Sequence, residues 1–168
     1  MFLDESGVTT QMTRLRGRAP SGERVGEATP QSHGRMLTVL GAITIEGVLA
    51  SMTIEEATDG DVFLAYLEQV LCPKLQAGQV VILDNLGAHK VKGVRERIEA
   101  CGARVVYLPP YSPDFNPIES IWAKVKQALR SVKARTGEAL EQAVGEALKA
   151  VTGEHTRGCF RGCGYGLQ

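Results

Sequence analysis

The chain has 168 residues, 43% of them apolar and 23% charged, with a formal net charge of zero. That length suits one domain, residues 1–168, able to bury about 70% of the surface of its unfolded chain, so no disulfide scaffold is required. No run approaches the ~18 apolar residues of a membrane helix, and the opening MFLDESG lacks the regions of a secretory signal, so a cytoplasmic location with reduced thiols follows by default.

Phe2 to Val8 is a short apolar-rich run that predicts a strand. A Gly/Pro/Arg-rich stretch from Arg14 to Gly34 reads as a loop or irregular arm. Met36 to Ile45 and Val48 to Thr53 are β-rich and separated by Glu46-Gly47, a hairpin signal. Asp61 opens a helical pattern with Val62, Phe63, Tyr66, Leu67, Val70 and Leu71 on one face. Asp59 or Asp61 is its cap, and Pro73 lies near its end.

The continuous run Val80 to Leu83 predicts a strand buried on both faces, ending at Asp84. A helix from about Val91 to Ala100 and a strand from Arg104 to Leu108 follow. The prolines of Pro109-Pro110-Tyr111-Ser112-Pro113 forbid regular structure. Asn116 and Pro117 then start a helix as cap and first residue, with Ile118, Ile121, Trp122, Val125 and Leu129 facing the core. Another helix is expected from about Gly137 to Val151. The glycine-rich tail from Gly153 has weak periodicity, and a helix there is doubtful although His155, Cys159 and Cys163 are spaced by four. No second Cys pair completes a tetrahedral zinc set. An antiparallel meander followed by βαβ crossovers gives an α/β fold, a mixed central sheet flanked by helices, in the order of a ribonuclease H-like fold.

Charge is unevenly placed. Arg14, Arg16, Arg18, Arg24 and Arg35 enrich the arm, and Lys124, Lys126, Arg130, Lys133 and Arg135 enrich the C-terminal third. Such patches track phosphates, although an ordinary solvated surface looks the same.

Three carboxylates sit where an element would hold them rigidly. Asp4 lies inside the first strand, Asp84 closes the VVIL strand at its carboxyl edge, and Glu119 is in the first turn of the Asn116-Pro117 helix. Ligands of open α/β sheets bind at that edge. If the first and fourth strands are neighbours, Asp4 and Asp84 lie side by side and the Glu119 helix closes over them. Such a cluster suits phosphodiester cleavage, in which two Mg²⁺ ions about 4 Å apart stabilise the entering and leaving oxygens. Oxygen ligands are what Mg²⁺ prefers. Each residue also has a simpler explanation: Asp4 as a strand-edge acid, Asp84 as a turn former, Glu119 as the third position of a capping box with Asn116. Glu5 should point away from Asp4, because strand side chains alternate.

The segments FLDESG, VVILDNLGAHK and LPPYSPDFNPIESIWAKVK resemble the three catalytic blocks of a DDE transposase of the mariner superfamily, in its bacterial insertion-sequence branch. The resemblance runs from residue 2 to 168, including the tail CFRGCGYGLQ, and 34 residues separate Asp84 from Glu119. It implies that Asp4, Asp84 and Glu119 are the catalytic, metal-binding residues, with two Mg²⁺ ions and Mn²⁺ as a substitute. It implies DNA cleavage and strand transfer at element ends, and a homodimer that handles two ends. It places Asn85 and His89 near the metals or DNA, with turn former and helix-start surface residue as their simpler roles. Lys124 is a further candidate DNA or supporting contact, and Trp122 is expected in the core. Members of that family carry helix-turn-helix modules ahead of the catalytic domain; this sequence starts at the first block and is expected to be the catalytic part alone. Two other functions stay open: a ribonuclease H-like nuclease of another purpose, separable by comparing hybrid, branched and element-end substrates, and an inactive fragment that binds DNA or a partner, separable by metal titration.

Overall fold

The computed structural model describes residues 1–30, 34–55 and 57–166. Part of the arm, residues 31–33, and the last two residues of the tail block lie outside these.

Five strands form one sheet in the order β3-β2-β1-β4-β5. Strands β1 (Phe2–Thr9), β2 (Met36–Thr44) and β3 (Gly47–Ile54) make the antiparallel meander. Strands β4 (Val80–Leu83) and β5 (Arg104–Tyr107) add in parallel, β4 directly against β1. The first and fourth strands are therefore neighbours, as the side-by-side placement of Asp4 and Asp84 requires. The register pairs Phe2 with Ile82 and Leu3 with Leu83, so Asp4 and Asp84 are the next residues along that ladder.

Alternation along β1 splits the core in two. Phe2 and Val8 join Leu37, Val39 and Ile43 of β2 against helices α3 (Pro117–Val132), α4 (Gly137–Lys149) and α5 (Gly153–Gly162). Leu3 faces the other way, with Leu40, Val81 and Leu83, against α1 (Gly60–Tyr66) and α2 (Val94–Ala100). The Asp59 side chain caps α1 by accepting from the Val62 amide at 2.9 Å. The chain then widens into a π turn over Leu67–Leu71 and tightens to a 3₁₀ turn over Cys72–Lys74, where Pro73 cannot donate to a continuing ladder.

Three expectations need correction. Helix α2 starts at Val94 rather than near Val91, because Ala88–Lys90 tightens into a 3₁₀ turn and Gly93 takes a left-handed φ of 103°. Strand β5 stops at Tyr107, one residue before the expected end. The tail is helical over α5 despite its glycines. Thr152 caps it reciprocally with His155, and Phe160 buries against Phe2, ring centroids 5.3 Å apart. A cap and one well-packed aromatic outweigh a cost of about 1 kcal/mol per glycine.

Candidate active site

Asp4 sits on the α3 side of the sheet and is 4% exposed. Its Oδ2 accepts from the Trp122 indole at 3.3 Å and the Asn116 amide at 3.4 Å, and its Oδ1 from the Glu5 backbone amide at 2.8 Å. Trp122 reaches it by lying over Gly41, the residue that pairs with Asp4 across β1 and β2. A Cβ at Gly41 would fall 2.7 Å from the indole, so only glycine leaves room. Burial pushes the Asp4 carboxyl up to about 7; the Glu5 amide pulls it down, and the fields of Glu119 and Asp84 push it up again.

Asp84 follows β4 directly and is part-exposed. Its Oδ1 accepts from the Leu86 backbone amide at 3.0 Å and from His89 Nδ1 at 2.5 Å. Burial alone would raise its pKa, but the bonds from His89 and Leu86 hold it below the ordinary range. The same imidazole gives its Nε2 to Glu5 Oε2 at 2.7 Å. His89 is 0% exposed, its ring lies 4.5 Å from that of Phe63, and its carbonyl accepts from the Tyr107 hydroxyl at 2.8 Å. Burial would lower the His89 pKa, yet the bonds to Asp84 and Glu5 outweigh it and raise the value to about 9. His89 is thus a buried imidazolium between two acids, not a residue of an exposed helix start.

Glu119 is exposed on the first turn of α3. The capping-box explanation does not hold, because the Asn116 side chain makes no cap bond and turns its amide to Asp4. Asn116 Oδ1 is buried without a partner. Asp84 and Glu119 open on one cavity of about 460 Å³ with Asn85, Lys90, Tyr111 and Asn116. Tyr111 is fully exposed there and takes a left-handed φ of 55°. Lys124 is exposed one turn along α3, on a wider groove that runs from Glu119 to His155 and Cys159 of α5.

The donor set suits a hard divalent cation: three carboxylates, and next to them an amide oxygen that lacks a donor. The raised Asp4 pKa is the cost that such a cation would relieve. As the side chains stand, no three acids, histidines or cysteines among the described residues converge on one ion position. Coordination of one ion by all three acids therefore needs them closer together than they stand.

Sequence reasoning missed Asn116 as a partner of Asp4 and Glu5 as a partner of His89. Alternation along β1 placed Glu5 on the far face but carried no sign of what it meets there. The apolar face of α3 placed Trp122 correctly in the core, where it is 3% exposed, but gave no sign of its bond to Asp4.

Residues 1–141 match the family described as DDE superfamily endonuclease, and the chain belongs to that family. Among solved structures it is similar to a pre-cleavage Mos1 transpososome, with a TM-score of 0.76 and 17% identity over 99% of this chain and 56% of that one. It is also similar to the Mos1 mariner paired-end complex with Mn, with a TM-score of 0.76 and 19% identity over 97% and 51% of the two chains. The catalytic domain of Mos1 mariner transposase aligns with a TM-score of 0.64 and 16% identity over 99% of this chain and 83% of that domain. The fold is ribonuclease H-like, as the strand order predicts. The chain spans about half the length of the fuller Mos1 chains. No curated protein matches the sequence.

Proposed function

We propose that this chain is the catalytic domain of a DNA transposase, cleaving strands at the ends of an insertion sequence and joining them to target DNA. One observation carries the reading: Asp4, inside β1, and Asp84, at the end of β4, fall at the same step of two adjacent parallel strands, and Asp84 shares a cavity with Glu119. The family match and the fold shared with Mos1 transposase support it.

In this reading Asp4, Asp84 and Glu119 hold two Mg²⁺ ions, with Mn²⁺ as a substitute. The ions, when bound, supply the positive charge that the entering and leaving oxygens of an in-line phosphoryl displacement require. The chain's own groups do the rest. Trp122 and Asn116 fix Asp4, the His89 ring fixes Asp84, and Asn85 and Lys90 line the approach to the acids. Lys124 and the exposed arm arginines Arg14, Arg16, Arg18 and Arg24 follow DNA phosphates. Residues 1–168 act as one catalytic unit, and two copies handle two DNA ends. The site of action is the bacterial cytoplasm, at the nucleoid when the protein is on DNA. Among the described residues no helix is long and apolar enough to cross a membrane.

The test is cleavage of DNA carrying the element's ends. Strand cleavage should require Mg²⁺ or Mn²⁺ and be lost in Asp84→Ala with the fold retained by circular dichroism. Undiminished cleavage by Asp84→Ala overturns the assignment.

A further inference from the structure

The hydrogen bonds around His89 join the two faces of the sheet. Asp4 and Glu5 are consecutive in β1 and point to opposite sides, Asp4 towards Trp122 and Glu5 towards His89. The His89 ring spans the edge from Glu5 to Asp84, the second acid of the site. Ring and backbone are both held: Nε2 by Glu5, Nδ1 by Asp84, the ring against Phe63, and the His89 carbonyl by the Tyr107 hydroxyl. An apolar side chain would pack against Phe63 equally well and cost no desolvation. The arrangement instead places a ring with two polar ends between two carboxylates.

Both bonds received by Asp84, from His89 and from the Leu86 amide, fall on Oδ1. They fix the plane of the carboxylate and leave Oδ2 for coordination. The hold depends on the ring staying in one orientation. Rotation of the ring by half a turn about its Cβ–Cγ bond would put a carbon opposite Asp84, and the Glu5 bond to Nε2 opposes that rotation. A side chain that orients a ligand's own partner is a common feature of metal sites.

We propose that Glu5 is a positioning residue for the metal-binding carboxylate of Asp84, acting through the buried ring of His89. The inference rests on the reading of Asp84 as a metal ligand. It assigns Glu5 work distinct from that of its neighbour Asp4: Glu5 meets neither cation nor DNA, and it sets the direction in which Asp84 presents its second oxygen.

Titration of the full chain with Mn²⁺ alone, followed by electron paramagnetic resonance of the free ion, tests this without DNA. Glu5→Leu keeps the side-chain volume and removes the acceptor, and should weaken Mn²⁺ binding about 10-fold to 100-fold, the range for outer partners of metal ligands. Glu5→Gln should restore most of the affinity, because an amide can complement Nε2 whether or not that nitrogen carries a proton. With His89→Gln in the background, Glu5→Leu should cost little more, since the route to Asp84 is already gone. Wild-type affinity in Glu5→Leu overturns the proposal, as does an undiminished loss in the His89→Gln background. If Glu5→Leu does not fold, Glu5→Asp withdraws the acceptor by one methylene: weakened binding supports the proposal and unchanged binding overturns it. Asp84→Ala separates the two readings. If it binds Mn²⁺ as the wild type does, the ligand assignment falls and this inference with it; if it loses binding while Glu5→Leu does not, only the role of Glu5 falls.

Discussion

Asp4 and Asp84 are the same residue type at matching steps of adjacent parallel strands, yet their environments drive them in opposite directions. Asp4 meets neutral donors, Trp122 and Asn116, in a buried position, and its carboxyl is pushed up to about 7. Asp84 meets a buried imidazolium and a backbone amide, and its carboxyl is held down. One acid lacks a counter-charge, and the other has one built in. The difference teaches that residue type and strand register set the place of a carboxylate, while the facing helix or turn sets its charge state. In the reading proposed above, a cation completes the Asp4 side and finds the Asp84 side already oriented.

The largest effect should come from the side without a counter-charge. Asp4→Asn should lower metal-dependent cleavage by about 100-fold or more, the scale of losing one group that stabilises transition-state charge, and should raise the melting temperature of the metal-free chain by removing a buried, desolvated acid. A lower melting temperature in this variant would show that the Asp4 charge is already compensated. On the other side, His89→Leu should destabilise the chain by about 2–4 kcal/mol in urea melts, because Glu5 and Asp84 then lose their shared cation. A change within about 0.5 kcal/mol would reduce the imidazolium to packing.

Acidity tests both sides together. Asp4, raised from 3.8 to about 7, retains a proton that the unfolded chain releases; that stabilisation is present at low pH and fades as pH approaches 7. His89, raised from 6.5 to about 9, contributes fully below 6.5 and loses its contribution as pH rises through 9. Both signs agree, so the metal-free melting temperature should fall by about 4–8 °C between pH 6 and pH 9. A flat profile would remove the contrast between the two acids. The smallest effect is the most local. Trp122 is the only tryptophan, and Gly41→Ala should displace it at a cost of about 1–3 kcal/mol. Its emission in the wild type should titrate near pH 7 with Asp4, and in Gly41→Ala that step should shrink or vanish. An unaltered titration in the variant would mean that the indole does not report on Asp4.

Much of this was legible in the sequence. The apolar runs gave the five strands, Asp84 was placed at the end of the VVIL run, and Asn116-Pro117 marked the start of α3. What could not be read were contacts between residues far apart in sequence that obey no period. The Asn116 amide turns from its expected cap to an acid 112 positions earlier, and His89 meets one 84 positions away. Periodicity speaks only of faces, and His89 lies in a three-residue turn too short to have one. The α5 helix was missed for a different reason: glycine content argued against it locally, while its stability comes from Phe160 packing on Phe2 at the other end of the chain.

The division of the interior into two apolar layers has a mechanical consequence. Asp4 is anchored to α3 in one layer, and Asp84 is tied through His89 to Phe63 of α1 in the other. An ion gripped by both would rivet the layers across the sheet rim. Amide hydrogen exchange should then slow in α1 and α3 at once when Mn²⁺ is added, although the two helices belong to separate halves of the interior.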